Sequence, residues 1–234
     1  MDSLLLDSLA SALLMLVQGE SHVWGIIFLS LRCTLFACVA ACIMGIPLAL
    51  SLSQARFRGR QGVILVLNSL QALPTVVVGL FLYILIGSQG PLGSLGLLYT
   101  PTAITLGQTV LILPLVTMLC LAAVNRLDTK YRYAALTLGA TEWQARVAVM
   151  REARFALMAA LCAAFGRGIA EVGVSMMLGG NIKGFTRTMT TAMALEYDKG
   201  EFALALALGL VLLLTSFLLN AILHMFQRRM EQTA

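Results

Sequence analysis

Arg167 and Glu171 stand four residues apart in GRGIAEVGVSMMLGGNIKGFTRT, residues 166–188, a stretch that begins inside an apolar run. On one helix that spacing puts both side chains on the same face, where an ion pair forms easily. A charge exposed to lipid near mid-membrane costs about 2.5–3.5 kcal/mol on insertion scales, so both should face a bundle interior and either pair or reach water. A second polar set, Asn68, Ser69, Gln71 and Thr75, flanks Pro74 in another apolar run; such side chains can satisfy backbone groups that a proline frees. A third, Asn181, Lys183, Thr186, Arg187 and Thr188, is gathered in GGNIKGFTRTMTT. Arg32 lies near the start of the first apolar run, close enough to its end to snorkel toward headgroups.

Catalytic chemistry finds no comparable support. His22 and His224 sit at opposite ends of the chain, and no clustered His, Cys and carboxylate set appears. The five cysteines, Cys33, Cys38, Cys42, Cys120 and Cys162, all lie in apolar runs without metal-ligand spacing and read as small apolar packers. Gly179 to Gly184 has the glycine spacing of a GxxxxGK[ST] phosphate loop but continues with Phe185, so the chain is no ATPase. No cofactor is expected.

The elements that must carry these residues are membrane helices. The chain has 234 residues, 59% hydrophobic and 12% charged, with a mean hydropathy of +0.90; soluble domains have about 45–50% apolar and about 25% charged residues. Five apolar runs, at 23–50, 62–86, 101–124, 155–178 and 202–226, are each long enough for the roughly 20 residues that cross a bilayer. Each should be a helix, because a helix satisfies its own backbone in lipid. Thr100 can cap and Pro101 open the third, while Pro74 and Pro114 should kink the second and third. Residues 1–20 repeat Ser3, Asp7 and Ser11 against leucines, which suggests an amphipathic interfacial helix; a short sixth span is the alternative. With Asp2 and Asp7 and no Lys or Arg, this stretch does not read as a cleavable signal.

Of the 16 Lys and Arg residues, eleven fall on one side of these spans and three, Lys183, Arg187 and Lys199, on the other. Short cytoplasmic loops hold the positive excess, which puts the N-terminus outside and the C-terminus in the cytoplasm. The net charge of +5 follows from this bias and needs no nucleic acid. The largest hydrophilic piece, 125–154, lies on the inner side. Its middle, YAALTLGATEWQARVAVM, reads as two short helices meeting at Gly139 and Ala140, with Thr141 capping the second.

This segment resembles the cytoplasmic signature of ATP-binding-cassette (ABC) importer permeases, E-A-A, three residues, Gly, nine residues, I-x-L-P: Ala134, Ala135 and Gly139 match and Val149 takes the isoleucine position. Tyr133 replaces the glutamate, and Arg151 and Glu152 replace the closing L-P. The stretches LQALPTVVVGLFLY (70–83), GPLGSLGLLYTPTA (90–103) and 166–202 resemble molybdate and tungstate permeases in order and spacing. REAR, MMLGGNI, TRTMTTA and KGEF look closest to the tungstate branch. The resemblance implies an all-α, integral membrane fold of the type I, molybdate-permease-like class in a bacterial or archaeal inner membrane. It also implies a homodimer, a separate cytoplasmic cassette ATPase and an extracytoplasmic oxyanion-binding protein.

Under that resemblance the function expected is inward transport of tungstate, with molybdate as the alternative in the same class. An ion-coupled carrier or channel acting alone is the alternative from another class; such carriers often show repeated halves, and no repeat is seen here. Ala134, Ala135, Gly139, Ala140 and Glu142 would couple to the ATPase, Glu142 pairing with Arg146 on the helix surface. Arg167 and Glu171 either line or gate the anion path or tie helices together; a bare arginine would hold a dianion too tightly to release it, so Glu171 suits conduction. Asn68, Gln71 and Thr75 either line the path or pack. Asn181, Lys183, Thr186 and Arg187 would suit an oxyanion or an acidic rim on the binding protein, or form a solvated loop.

Overall fold

Two of the long apolar runs fold into single helices even though each holds a proline, Pro47 in one and Pro114 in the other. The computed structural model describes residues 21–54, 58–126 and 130–231, so the expected interfacial helix at 1–20 lies outside the described residues. Helix α1 (Ser21–Gln54) and helix α4 (Pro101–Asn125) form the centre of the bundle. Thr100 caps α4 by accepting from the Ala103 amide at 3.2 Å, Pro101 fills its first turn, and the helix runs through Pro114 without a break. Lipid gives no hydrophobic drive between helices, so they associate by close packing of small residues. Ala37, Cys38 and Ala41 of α1 accordingly share a buried cluster with Ile112, Val116 and Cys120 of α4. A Cβ on Gly45 would stand 3.0 Å from Thr117 Oγ1, which shows how near the two helices come.

The run at 62–86 differs from the single kinked span expected. It is two helices, α2 (Arg60–Gln71) and α3 (Thr75–Ile86), bent by 101°. Pro74 lacks an N–H and disfavours helical backbone at the residue before it, and its ψ of 126° sends the chain off in a new direction. The run at 155–178 is also broken, into α7 (Arg154–Ile169) and α8 (Gly173–Gly179), bent by 58°. Among the described residues two helices are therefore long and apolar enough to cross a bilayer alone, and four spans result if each bent pair counts as one. The last run begins a 30-residue helix, here called α10 (Phe202–Glu231). The all-helical class stands, with no strand among the described residues.

The segment expected as two short helices around a glycine has that form. Helix α5 (Lys130–Thr137) and helix α6 (Glu142–Glu152) flank Gly139, whose φ of +83° is easy only for glycine. Thr141 and Gln144 form a capping box at the start of α6. Buried Val149 of α6 and Ala153 share a cluster with Leu50 of α1 and Val124 of α4, so this element is packed directly on the two central helices. Before the last helix, residues expected to be outer loop contain α9 (Met189–Lys199), with a second capping box at Thr188 and Thr191. The Met189 amide donates to Ser30 Oγ of α1 at 2.7 Å and anchors it.

Candidate functional site

The two breaks lie against each other. Helix α3 packs on α8, where a Cβ on Gly79 would come 3.2 Å from Met177, and one on Gly173 would come 2.7 Å from Thr75 Oγ1. Only residues without a side chain at these two positions let the helices approach so closely. Pro74 and the Ala170–Val172 break thus form one irregular region, and Thr75 stands half-buried in its wall.

Glu171 occupies this break rather than the helix face expected for it. Helix α7 ends at Ile169, and the Glu171 amide donates to Gly168 O at 3.2 Å. Its side chain is 3% exposed, with one oxygen 2.7 Å from Arg167 Nη1 and the other accepting from the Val174 amide at 3.1 Å. The Glu171 carbonyl accepts from Thr190 Oγ1 of α9 at 2.7 Å. One residue therefore joins α7, α8 and α9, and its carboxylate offsets the unpaired amides at the start of α8. Gln108 of α4 reinforces the end of α7 by donating to Gly168 O at 3.2 Å.

Arg167 is 42% exposed, and beyond its contact with Glu171 it opens on a small cleft of about 110 Å³ lined by Gln71, Leu70, Leu73, Leu111 and Leu115. The structure so brings Arg167 and Gln71 to one cleft beside both breaks. Asn68 is exposed one turn earlier and touches this set through Gln71, whose Nε2 lies 3.4 Å from Asn68 Oδ1. The arrangement offers a guanidinium with spare donors and an amide to a small anion. The adjacent buried carboxylate limits how tightly the anion would be held.

The residues of the loop between α8 and α9 divide by role. Thr186 is fully buried, accepting from the Ile182 amide and donating to Gly179 O. Asn181, at φ +51°, donates to Thr191 O and receives two bonds from Arg187, which also lies 3.8 Å from the buried Glu196 carboxylate. Lys199 stands 3.1 Å from the same carboxylate. Instead of a solvated loop this is a built one, in which Asn181, Thr186 and Arg187 hold the backbone and Lys183 is exposed. Glu196 escaped sequence reasoning; its signal was a carboxylate three residues before Lys199 on a helix opened by a Thr188-x-x-Thr191 box.

At the opposite end, Gly139 and Glu142 are exposed, as is Ala134, while Ala135 and Ala140 are half-buried. Leu138 is 88% and Trp143 66% exposed around them, an apolar surface fixed to the central helices through α6. Among the described residues no group of His, Cys, Asp and Glu could hold a metal ion.

Comparison with known proteins bears on this geometry. Residues 41–232 match the family model described as binding-protein-dependent transport system inner membrane component. The tungstate uptake system permease protein TupB of Peptoclostridium acidaminophilum is 37% identical over 94% of this chain and 97% of its own length. The protein of the same name from Campylobacter jejuni is 44% identical over 74% of this chain and 72% of its own. The fold resembles that of a chain in the inward-facing MetNI methionine ABC transporter, with a TM-score of 0.69 at 16% identity, covering 89% of this chain and 94% of that one. The chain belongs to the family of inner membrane components of binding-protein-dependent transport systems and is a membrane-embedded permease subunit.

Proposed function

We propose that this permease carries tungstate inward in an ATP-driven importer, past the paired breaks that hold Arg167 and Glu171. The observation that carries the proposal is the buried Glu171 carboxylate neutralising an arginine that is still open to a cleft. The names of the two relatives at 37% and 44% identity support tungstate as the anion. Gln71 and Thr75 lie beside the same breaks and would offer donors in transit, with Asn68 behind Gln71.

Two copies form the path in this proposal, since the two to four spans among the described residues are few to enclose a path alone. A cassette ATPase docks on the surface of Ala134, Ala135, Gly139, Ala140 and Glu142, and its closure moves α1 and α4 through α6 as a rigid-body shift. An oxyanion-binding protein docks at the other end, near Lys183. Five spans, with the N-terminus outside and the C-terminus in the cytoplasm, accord with the charge bias.

The test is uptake in vesicles holding the permease with its ATPase and binding protein. Tungstate should enter only with ATP, and Arg167→Ala and Glu171→Ala should each lower uptake at least tenfold (roughly 1.4 kcal/mol) in complexes that still assemble. Normal uptake in both variants would reduce the pair to a brace between helices. Molybdate offered as competitor measures the selectivity.

A further inference from the structure

A second cationic cleft lies away from the paired breaks. It has a volume of about 320 Å³ and runs along one face of α1, where Ser21, Gly25, Phe28 and Arg32 recur at helical spacing, and is closed by Gly184, Phe185 and Arg187 of the loop before α9. His22 lines it beside Ser21, and among the described residues no carboxylate does. Arg187 is committed to Asn181 and Glu196, whereas Arg32 has no hydrogen bond or ion pair among the described residues.

The position of Arg32 sharpens the chemistry. It sits eleven residues into α1 from Ser21, roughly 16 Å at the helical rise. Helical side chains lean toward the N-terminus, which directs the guanidinium up the cleft. Phe28 and Phe185 line the cleft and are exposed, and Trp24, one turn before Phe28 on α1, is exposed too and of the type that gathers at the headgroup level of a bilayer. A cation at this depth is stabilised by an anion that shares its cleft, and a guanidinium matches two oxygens of a phosphate-like group at once.

We propose that this cleft is a separate anion site in which Arg32 receives a tetrahedral oxyanion, either the phosphate of an anionic lipid headgroup or a free oxyanion. The assignment rests on α1 and the loop alone and stands or falls independently of the transported substrate.

The full chain, purified in detergent and stripped of lipid, would be titrated with phosphatidylglycerol and with phosphatidylcholine under native mass spectrometry. Separately it would be titrated with tungstate and with inorganic phosphate by equilibrium dialysis. Arg32→Gln should weaken the bound anion at least about tenfold, the scale of one lost charge-assisted contact, while Arg32→Lys retains most of it. Because Arg32 is exposed, the melting temperature of the variants should be unchanged. His22→Gln, at the other end of the cleft, should weaken the same anion to a smaller extent. Arg32-dependent preference for phosphatidylglycerol over phosphatidylcholine identifies a headgroup site; Arg32-dependent retention of tungstate or phosphate identifies a free-anion site. If phosphatidylglycerol binds no better than phosphatidylcholine and no free anion responds to Arg32, or if Arg32→Gln leaves binding intact, the proposal is overturned.

Discussion

A carboxylate with one oxygen on Arg167 and the other on the Val174 amide responds differently to each way of removing it. Glu171→Gln can still accept from the amide but loses the ion pair; Glu171→Ala loses both. Hydrogen bonds to charged groups contribute about 1.5–3 kcal/mol, so Glu171→Ala should lower the melting temperature of the purified permease clearly and Glu171→Gln by less. Equal melting of the two would mean that the amide contact contributes nothing. Gly173 makes a steric prediction at the same scale. Gly173→Ala puts a Cβ 2.7 Å from Thr75 Oγ1, and overpacking of this kind costs about 1–3 kcal/mol. Thr75→Ala removes the nearest atom, so the double variant should recover part of the lost thermal stability, as a double-mutant cycle would read. Val76 stands 3.0 Å away and keeps the recovery incomplete.

Among the elements, the helix pair α5 and α6 joins an exposed surface to a buried anchor. Gly139 turns the chain at φ +83°, and a side-chain-bearing residue there is strained by about 1–2 kcal/mol. Gly139→Val should therefore displace Leu138 and Trp143 relative to the anchor of Val149 and Ala153. In vesicles with the ATPase, hydrolysis should continue while uptake falls; unchanged uptake and assembly would remove Gly139 from the coupling surface. Thr141→Ala tests the same element more gently, because loss of a cap costs about 1 kcal/mol. The paired breaks are the other element with mechanical meaning. Bends of 101° and 58° packed on each other give the bundle two short helices, α3 and α8, that need not move with the long ones. Glu171 and Thr190 are the polar ties that hold α8 and α9 to α7.

For the whole molecule, orientation is the property most open to direct measurement. Three of the five cysteines are buried and the other two half-buried in the helices, so a single introduced cysteine would report with little background. Lys183→Cys should react with a membrane-impermeant maleimide on intact cells, and Leu138→Cys only after permeabilisation. The reverse pattern would invert the proposed topology.

The hydropathy runs located the apolar helices, though not their breaks, since a helix satisfies its own backbone in lipid, and Thr100-Pro101 and Gly139-Ala140-Thr141 marked element ends through local capping chemistry that needs no tertiary context. The pairing of Arg167 with Glu171 was legible for a similar reason, because i, i+4 contact survives even when the helix ends between the two. Sequence spacing left open which residues share a cleft, since Gln71 and Arg167 are distant in the chain and meet only because α2 and α7 both pack on α4. It also left open how far each run bends: Pro74 and the glycines around 166–173 permit a break, but its angle is set by the fit of Gly79 and Gly173 between α3 and α8. The burial of Thr186 and Glu196, in what composition presents as a polar segment, was decided by how the chain folds back on itself there, with Thr186 donating to Gly179 O and Glu196 lying 3.8 Å from Arg187.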